Sequence, residues 1–396
     1  MSFHPNSGFS QSLSARQAST EAFSPDAVEN VQRHLACVHY QQTPLYELNA
    51  LARSLGVGSI LVKDEGQRSS LRSFKALGGG HAVVRLVLHE VGSALGRRLD
   101  AADVNLPSVR AGAAALTVAC ATDGNHGRAV AAAARIVGCR SVIFVHEGVS
   151  ESRADAIKAQ GAEVIRVPGN YDDSVEYASR MATEHGWHVV SDTSWPGYEI
   201  IPTWVMQGYL VMAHEVVDQI QRLGQSVTHV FLQAGVGGFA AAVSAYLTNA
   251  LGEAAPRIIV VEPDKAACLY ESARNGWATR IVPQQATVMA MLECYEPSLI
   301  AWRILVKQAS VFMTIADEAG LRAMAAMATP LGNDPVIKGG ESGSAGLGGL
   351  QTLTASAQAR QVLGLNTDSV VLLFNTEGAT DEALYESLLS KARTLP

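Results

Sequence analysis

Cysteine, charge and long apolar runs are all scarce in this chain, and each shortage removes a class of protein. Five cysteines among 396 residues, none in a CxxC pair, make neither a disulfide framework nor a zinc site. Cys268 and Cys294 are one conceivable pair, although two ordinary buried thiols is the simpler reading. No metal-ligand set is evident. Charged residues are only 17%, and 30 Lys+Arg against 37 Asp+Glu leave a net charge of -7. Without a Lys/Arg-rich stretch, neither nucleic acid nor an anionic membrane is an expected partner. No apolar run is long enough to span a bilayer. The opening MSFHPNSGFSQSLSARQAST lacks the apolar run of a secretory signal. A cytoplasmic location and a small-molecule substrate are the expectations that follow.

What the chain has is apolar material, 48% of it, enough for a real core divided over about two domains. The N-terminus reads as a loose tail, with the first helix opening at Ser24-Pro25-Asp26. From about residue 115 to 192 short apolar runs alternate with helical segments. Strand AALTVACATD, helix GNHGRAVAAAARIVGC, strand SVIFVHEG, helix SESRADAIKAQG, strand AEVIRVPG, helix DDSVEYASRMATEHG and strand WHVVSDT follow in turn. Apolar runs without alternation are the mark of parallel strands buried on both faces. Their alternation with helices predicts right-handed βαβ units.

A second such stretch runs from a single helix, WVMQGYLVMAHEVVDQI, through strand THVFLQAG and helix FAAAVSAYLTNALG to strand RIIVVEP. A last strand, SVVLLFNTEG, ends at residue 378, and 88–112 reads as a surface helix plus loop. The fold class is therefore α/β: two doubly wound domains, with the active site expected between them. The division predicted is a discontinuous large domain, 1–85 with 196–396, and a small domain, 86–195.

Four places carry chemistry. Ser73-Phe74-Lys75-Ala76 precedes Gly78-Gly79-Gly80. A lysine at a helix start is ordinarily a solvated charge, but in this apolar, glycine-rich setting its pKa would fall, as Schiff-base chemistry requires. Thr122-Asp123-Gly124-Asn125-His126-Gly127 turns from strand to helix and offers backbone N–H groups to an anion; a plain capped turn is the alternative. Gln233-Ala234-Gly235-Val236-Gly237-Gly238-Phe239-Ala240 makes a similar turn, suited to a phosphate. It also matches GxGxxA, and Glu262 ends the next strand where a dinucleotide-binding fold puts its ribose-binding acid. The fourth place is the pair of segments from Gly339 to Gly346 and from Asn375 to Gly378, ambiguous when taken alone.

In this order the four resemble the fold-type II (tryptophan-synthase-like) pyridoxal-phosphate enzymes, and among them the diaminopropionate ammonia-lyases. SFKALGG at 73–79, ATDGNHGR at 121–128, SDTSWPGYEIIPTWVMQGY at 191–209, QAGVGG at 233–238, GESGSAGLG at 340–348 and NTEGATD at 375–381 carry the resemblance. It implies a pyridoxal 5′-phosphate Schiff base on Lys75, beside Phe74. It implies that Asn125 bonds the cofactor's 3′ oxygen and that Gly235, Val236, Gly237, Gly238 and Phe239 hold its phosphate. Thr376 or Asn375 would meet the pyridine nitrogen. A neutral group there leaves a weaker electron sink, adequate for elimination.

The reaction implied is α,β-elimination of 2,3-diaminopropionate to pyruvate and two ammonia, by a family in which homodimers are usual. Lys75 would take the Cα proton from the L-isomer and Asp123, a departure from the SxGNH motif of the serine/threonine dehydratases, from the D-isomer. Asp192 would hold or help expel the β-ammonium group, unless it only caps a strand end. Thr122, Asp123, Asp192 and Ser342 are the expected substrate contacts. A dehydratase or another β-substituted alanine lyase is the same-class alternative, and a dinucleotide-binding oxidoreductase the alternative from another class. A catalytically dead binding module is the third.

Overall fold

Valine, isoleucine and leucine fill the central strands with no polar alternation, so these strands must be covered on both faces. In the larger of two compact units of the computed structural model they form a seven-stranded sheet. Residues 2–122, 124–169 and 171–395 are described, and residue 172 by its backbone alone. The larger unit comprises Met1–Pro25, Gln42–Phe74 and Met212–Pro396, and the smaller one Asp26–Gln41 and Lys75–Val211. Residues 26–41, 75–85 and 196–211, assigned from sequence to the large domain, thus pack in the smaller unit. The helix Lys75–Ala94 lies there against the helices Asn125–Val137 and Ile200–Gly208.

The strands in chain order are β1 (Ser2–Pro5), β2 (Leu45–Glu47), β3 (Ser59–Asp64), β4 (Thr117–Ala121), β5 (Arg140–His146), β6 (Glu163–Val167), β7 (His188–Val189), β8 (His229–Gln233), β9 (Arg257–Pro263), β10 (Ala309–Ile315) and β11 (Val370–Asn375). The larger sheet has the order β1-β10-β9-β8-β11-β3-β2. Its five inner strands are parallel, and β1 and β2 close the edges antiparallel. Phe231, Ile259, Met313, Leu373 and Val62, all nearly or fully inaccessible, sit in its core.

In the smaller unit the order is β6-β5-β4-β7, all parallel. The predicted βαβ alternation of residues 115–192 is realised there, with Ser150 capping the helix Glu151–Lys158 through its hydroxyl. Among the described residues no helix is long and apolar enough to cross a membrane.

Other expectations need correction. The N-terminal segment is no loose tail: β1 pairs with β10, Phe3 opposite Met313, and a helix follows at Leu13–Gln17. Pro25–Ala27 forms only a 3-10 turn ahead of the helix Val28–Ala36. The stretch 88–112 is no surface appendage. It contains the end of the helix Lys75–Ala94, a turn with a capping box at Asp100, and the helix Pro107–Ala114, and Val91, Val104 and Val109 are all buried.

The helix expected from residue 204 onward is two, Ile200–Gly208 and Leu210–Leu223. The break falls where Gly208 passes so close to Leu77 that a Cβ would lie 2.3 Å from its carbonyl oxygen.

Candidate active site

Lys75 is the first residue of its helix, and three glycines follow within five positions. Two of them exist for contact. A Cβ on Gly79 would stand 2.9 Å from that of Ala129 in the neighbouring helix, and one on Gly78 would stand 2.5 Å from the ring of Tyr209. The glycines therefore let a helix and a buried tyrosine close over the base of the lysine.

At the other end of its side chain the half-buried Lys75 ammonium hydrogen-bonds and ion-pairs with the Asp192 carboxylate. The Tyr209 hydroxyl also interacts with Lys75, and burial raises its pKa above the ordinary value, so it stays protonated. Burial acts to raise the Asp192 carboxyl as well. Lys75 outweighs that effect and holds it below the usual carboxylate range.

Asp192 owes its place to a stitched loop. The Tyr198 hydroxyl donates to the Val189 carbonyl at 2.8 Å and accepts from the Ser191 amide at 3.1 Å. Trp195 stacks on the Tyr198 ring at 4.3 Å. The residues SDTSWPGY thus form a small buttress at the end of β7, beyond the plain strand-end cap that competed with a catalytic reading of Asp192.

The turn after β4 is held by Thr122, whose Oγ1 accepts from the amides of Gly124 at 3.0 Å and Gly127 at 3.1 Å. That commits the hydroxyl's lone pairs to the turn. Asn125 and His126 then open the helix Asn125–Val137, both buried. His126 Nε2 faces the Val190 carbonyl at 2.8 Å and is therefore the protonated nitrogen. Its buried Nδ1 has no hydrogen-bond partner among the described residues. Burial lowers the His126 pKa, with Asp192 opposing and Lys75 assisting, so the ring is neutral. Asp123 lies outside the described residues.

In the larger unit β8 runs into the helix Gly238–Leu251, with Gly237 in the left-handed region (φ 95°) as its cap. The first turn carries no acidic residue and no side-chain cap, so its N–H groups are left to a ligand. Gly235 is packed so that a Cβ would meet Cys294 Sγ at 2.8 Å, and Cys268 Sγ donates to the Gly235 carbonyl at 3.8 Å. All five cysteines are free thiols. Phe239 packs between Phe74 at 5.0 Å and Phe374 at 5.4 Å.

Past β11, Asn375 and Thr376 are both buried but differently committed. Asn375 Nδ2 donates to Asp64 at 2.7 Å. Thr376 Oγ1 accepts from Gln233 Nε2 at 3.0 Å, which leaves its hydroxyl proton without an acceptor among the described residues. The Phe74 amide donates to the Thr376 carbonyl at 3.1 Å, tying the segment before Lys75 to this strand end. Ser342 Oγ accepts from the Met291 amide at 3.1 Å and is almost inaccessible.

These features fit pyridoxal phosphate. A glycine-capped helix start suits its phosphate, a hydroxyl with a spare proton suits an unprotonated ring nitrogen, and a paired lysine suits its aldehyde. They do not fit a dinucleotide. Glu262, the candidate ribose acid, spends both oxygens on the amides of Leu269 and Tyr270, at 2.8 and 2.6 Å. It is fully buried, which pushes its pKa up to about 8 against the pull of those amides. Glu262 is the cap of the helix Cys268–Asn275.

The sequence profile described as "Pyridoxal-phosphate dependent enzyme" matches residues 37–375. The diaminopropionate ammonia-lyase of Escherichia coli K12 is 41% identical over 362 residues, covering 90% of this chain and 89% of that one. The Salmonella typhimurium diaminopropionate ammonia-lyase is 39% identical over 368 residues, 91% of each chain. The crystal structure of the E. coli enzyme in complex with D-serine superposes with a TM-score of 0.89 at 37% identity, covering 99% of this chain and 97% of that one. The chain belongs to the pyridoxal-phosphate-dependent enzymes and, among them, to the diaminopropionate ammonia-lyases.

Proposed function

We propose that this enzyme catalyses α,β-elimination of 2,3-diaminopropionate, D and L, giving pyruvate and two ammonia. The observation that carries the reading is the pairing of Lys75 with Asp192, beside Tyr209 and His126. It sets a lysine nitrogen that can carry or release a proton against a fixed anion that can attract a substrate ammonium group.

When bound, the cofactor acidifies the substrate's Cα–H by withdrawing electrons. In the smaller unit Lys75 would bear its aldehyde and Asn125 would bond its 3′ oxygen. In the larger unit Gly235 to Phe239 would hold its phosphate and Thr376, rather than the committed Asn375, would donate to its ring nitrogen. Lys75 takes the Cα proton of the L-isomer at Nζ. Asp123 takes that of the D-isomer, on the strength of the sequence motif alone.

An amine leaves poorly unless protonated, so the departing β-nitrogen needs an acid or must arrive as ammonium. Asp192 remains anionic and stabilises that ammonium, while Lys75, once protonated, supplies a proton. Thr122 and Ser342 contribute by shaping turns, since their oxygens already accept backbone bonds. The enamine released hydrolyses in water to pyruvate and the second ammonia. We propose a homodimer, as the family resemblance implies, located in the cytoplasm.

The test is release of ammonia and pyruvate from D- and L-diaminopropionate beside L-serine and L-threonine. Preference for either hydroxy amino acid would replace this reading with that of a dehydratase. Asp123→Asn should abolish D-isomer turnover and largely spare the L-isomer; equal retention of both would remove Asp123 from the mechanism.

A further inference from the structure

A concentration of positive charge in the smaller unit lies well away from Lys75. A cleft of about 830 Å³ is lined by Arg33, Arg85, Arg97 and Arg98, with Trp204 and the buried His34 on its walls. Asp100 is the only acidic residue in that lining, and its side chain already accepts from the Ala102 amide. This is a local excess of cations in a chain whose net charge is -7.

Arg85 is the anomalous member. It is half-buried, and its guanidinium donates to the neutral Gln207 side chain at 2.7 Å and stacks over the Trp204 ring at 4.6 Å. Arg33 and Arg97 have weak carboxylate partners, Glu29 at 3.4 Å and Asp103 at 3.7 Å. Neither Arg85 nor the exposed Arg98 has one among the described residues. A guanidinium taken partly out of water without a counter-charge is costly, and burial lowers the pKa of Arg85 accordingly. The position is built from the chain's own order. Arg85 and His89 are one turn apart on the helix, and Gly96, in the left-handed region at φ 65°, turns the chain so that Arg97 and Arg98 join the lining.

We propose that this cleft is a binding site for a small dianion of the phosphoryl class, with Arg85 as its anchor and Arg97 and Arg98 as its outer clasp. Guanidinium forks match the tetrahedral oxygens of a phosphate in pairs, and the Trp204 ring provides a flat wall for a base or other planar group. Arg85 follows Lys75 by ten residues on one helix, about 15 Å along its axis. The site is therefore separate from the catalytic lysine and independent of the reaction assigned to it.

Calorimetry on the holoenzyme at about 0.15 M salt, where surface attraction is largely screened, tests this with inorganic phosphate and with AMP as probes. The expected result is saturable one-to-one binding of at least one probe, with Kd below about 1 mM. Tighter binding of AMP identifies a nucleotide-like ligand that uses Trp204, and equal binding identifies the phosphoryl group alone.

Arg85→Gln should weaken binding at least tenfold. The exposed Arg98→Ala, which carries little risk to folding, should weaken it several-fold. Both variants should keep wild-type turnover in the absence of the anion. No saturable binding up to about 10 mM, or unchanged binding in both variants, overturns the proposal.

Discussion

The Asp192 carboxylate is paired with the Lys75 ammonium across 117 positions of the same unit's sequence. Neither charge is fully exposed, so the pair is more than a surface contact. Asp192→Asn keeps the volume and one hydrogen bond but removes the charge that stabilises ammonium. Its kcat/KM should fall by ~10²–10⁴-fold, the scale of a positioned ionisable group. Bound cofactor joined to Lys75 should still give a visible absorption band that borohydride reduction abolishes, because Lys75 is untouched. Wild-type kinetics in this variant would reduce Asp192 to a loop-capping role.

Tyr209 reaches Lys75 through its hydroxyl and packs on Gly78 through its ring. The two functions separate in Tyr209→Phe, which preserves the packing. An interaction with a charged group contributes ~1.5–3 kcal/mol, so kcat should drop by roughly ten- to a hundredfold, with a smaller loss of stability than in Gly78→Ala. In Gly78→Ala the order reverses: overpacking against the ring should cost ~1–3 kcal/mol of stability. Urea titration and steady-state kinetics on both variants distinguish the roles.

The sequence and the structure agree best where local chemistry decides. The Lys75, Thr122–Gly127 and Gly235–Phe239 segments each end a strand or start a helix, and turn chemistry shows in single residues. Tyr209 was hidden because its role depends on Gly78, distant in sequence, leaving space for its ring. β10 went unread because its apolar run follows the helix Leu299–Gln308 without a glycine or proline between them. β1 went unread because a four-residue edge strand gains its meaning only from pairing with β10. Glu262 shows the opposite failure. A residue in a meaningful sequence position turned out to cap a helix, a use that no spacing rule could separate from ribose binding.

A buried charge network in the larger unit was equally illegible, since VKDEGQR looks like a solvated turn. Arg68 donates from Nε to Glu65 at 2.8 Å and from Nη1 to Glu215 at 2.9 Å, and Lys63 Nζ pairs with Glu215 at 2.5 Å. Thr43 bonds Glu65 at 2.7 Å, and all five side chains are buried. Two cations balance two anions, so the cluster is satisfied and structural. Glu215→Gln leaves a buried positive charge uncompensated and should cost ~3–5 kcal/mol, read from the denaturation midpoint. Pairing Lys63→Met with Glu215→Leu removes one charge of each sign and should cost clearly less. Equal losses would mean that packing rather than charge balance sets the cost.

The last prediction concerns acid. His34 and His81 face each other with their Nδ1 atoms 3.2 Å apart, and both are buried. One Nδ1 must donate and the other accept, which requires at least one neutral ring. Burial, reinforced by Arg85 and Arg33, lowers the His34 pKa from its ordinary 6.5 to about 4. Burial, with His34 and Arg85, lowers that of His81 as well. Between pH 6.5 and 4 the unfolded chain therefore binds protons that the folded one refuses. Stability is complete above pH 6.5 and falls as pH drops through this window, by up to ~3 kcal/mol from His34 alone. Calorimetric Tm values at pH 7.5, 6.5, 5.5 and 5 should decline in wild type and decline less steeply in His34→Gln, whose amide can still bond His81 without titrating. Parallel slopes in the two proteins would place the acid sensitivity elsewhere.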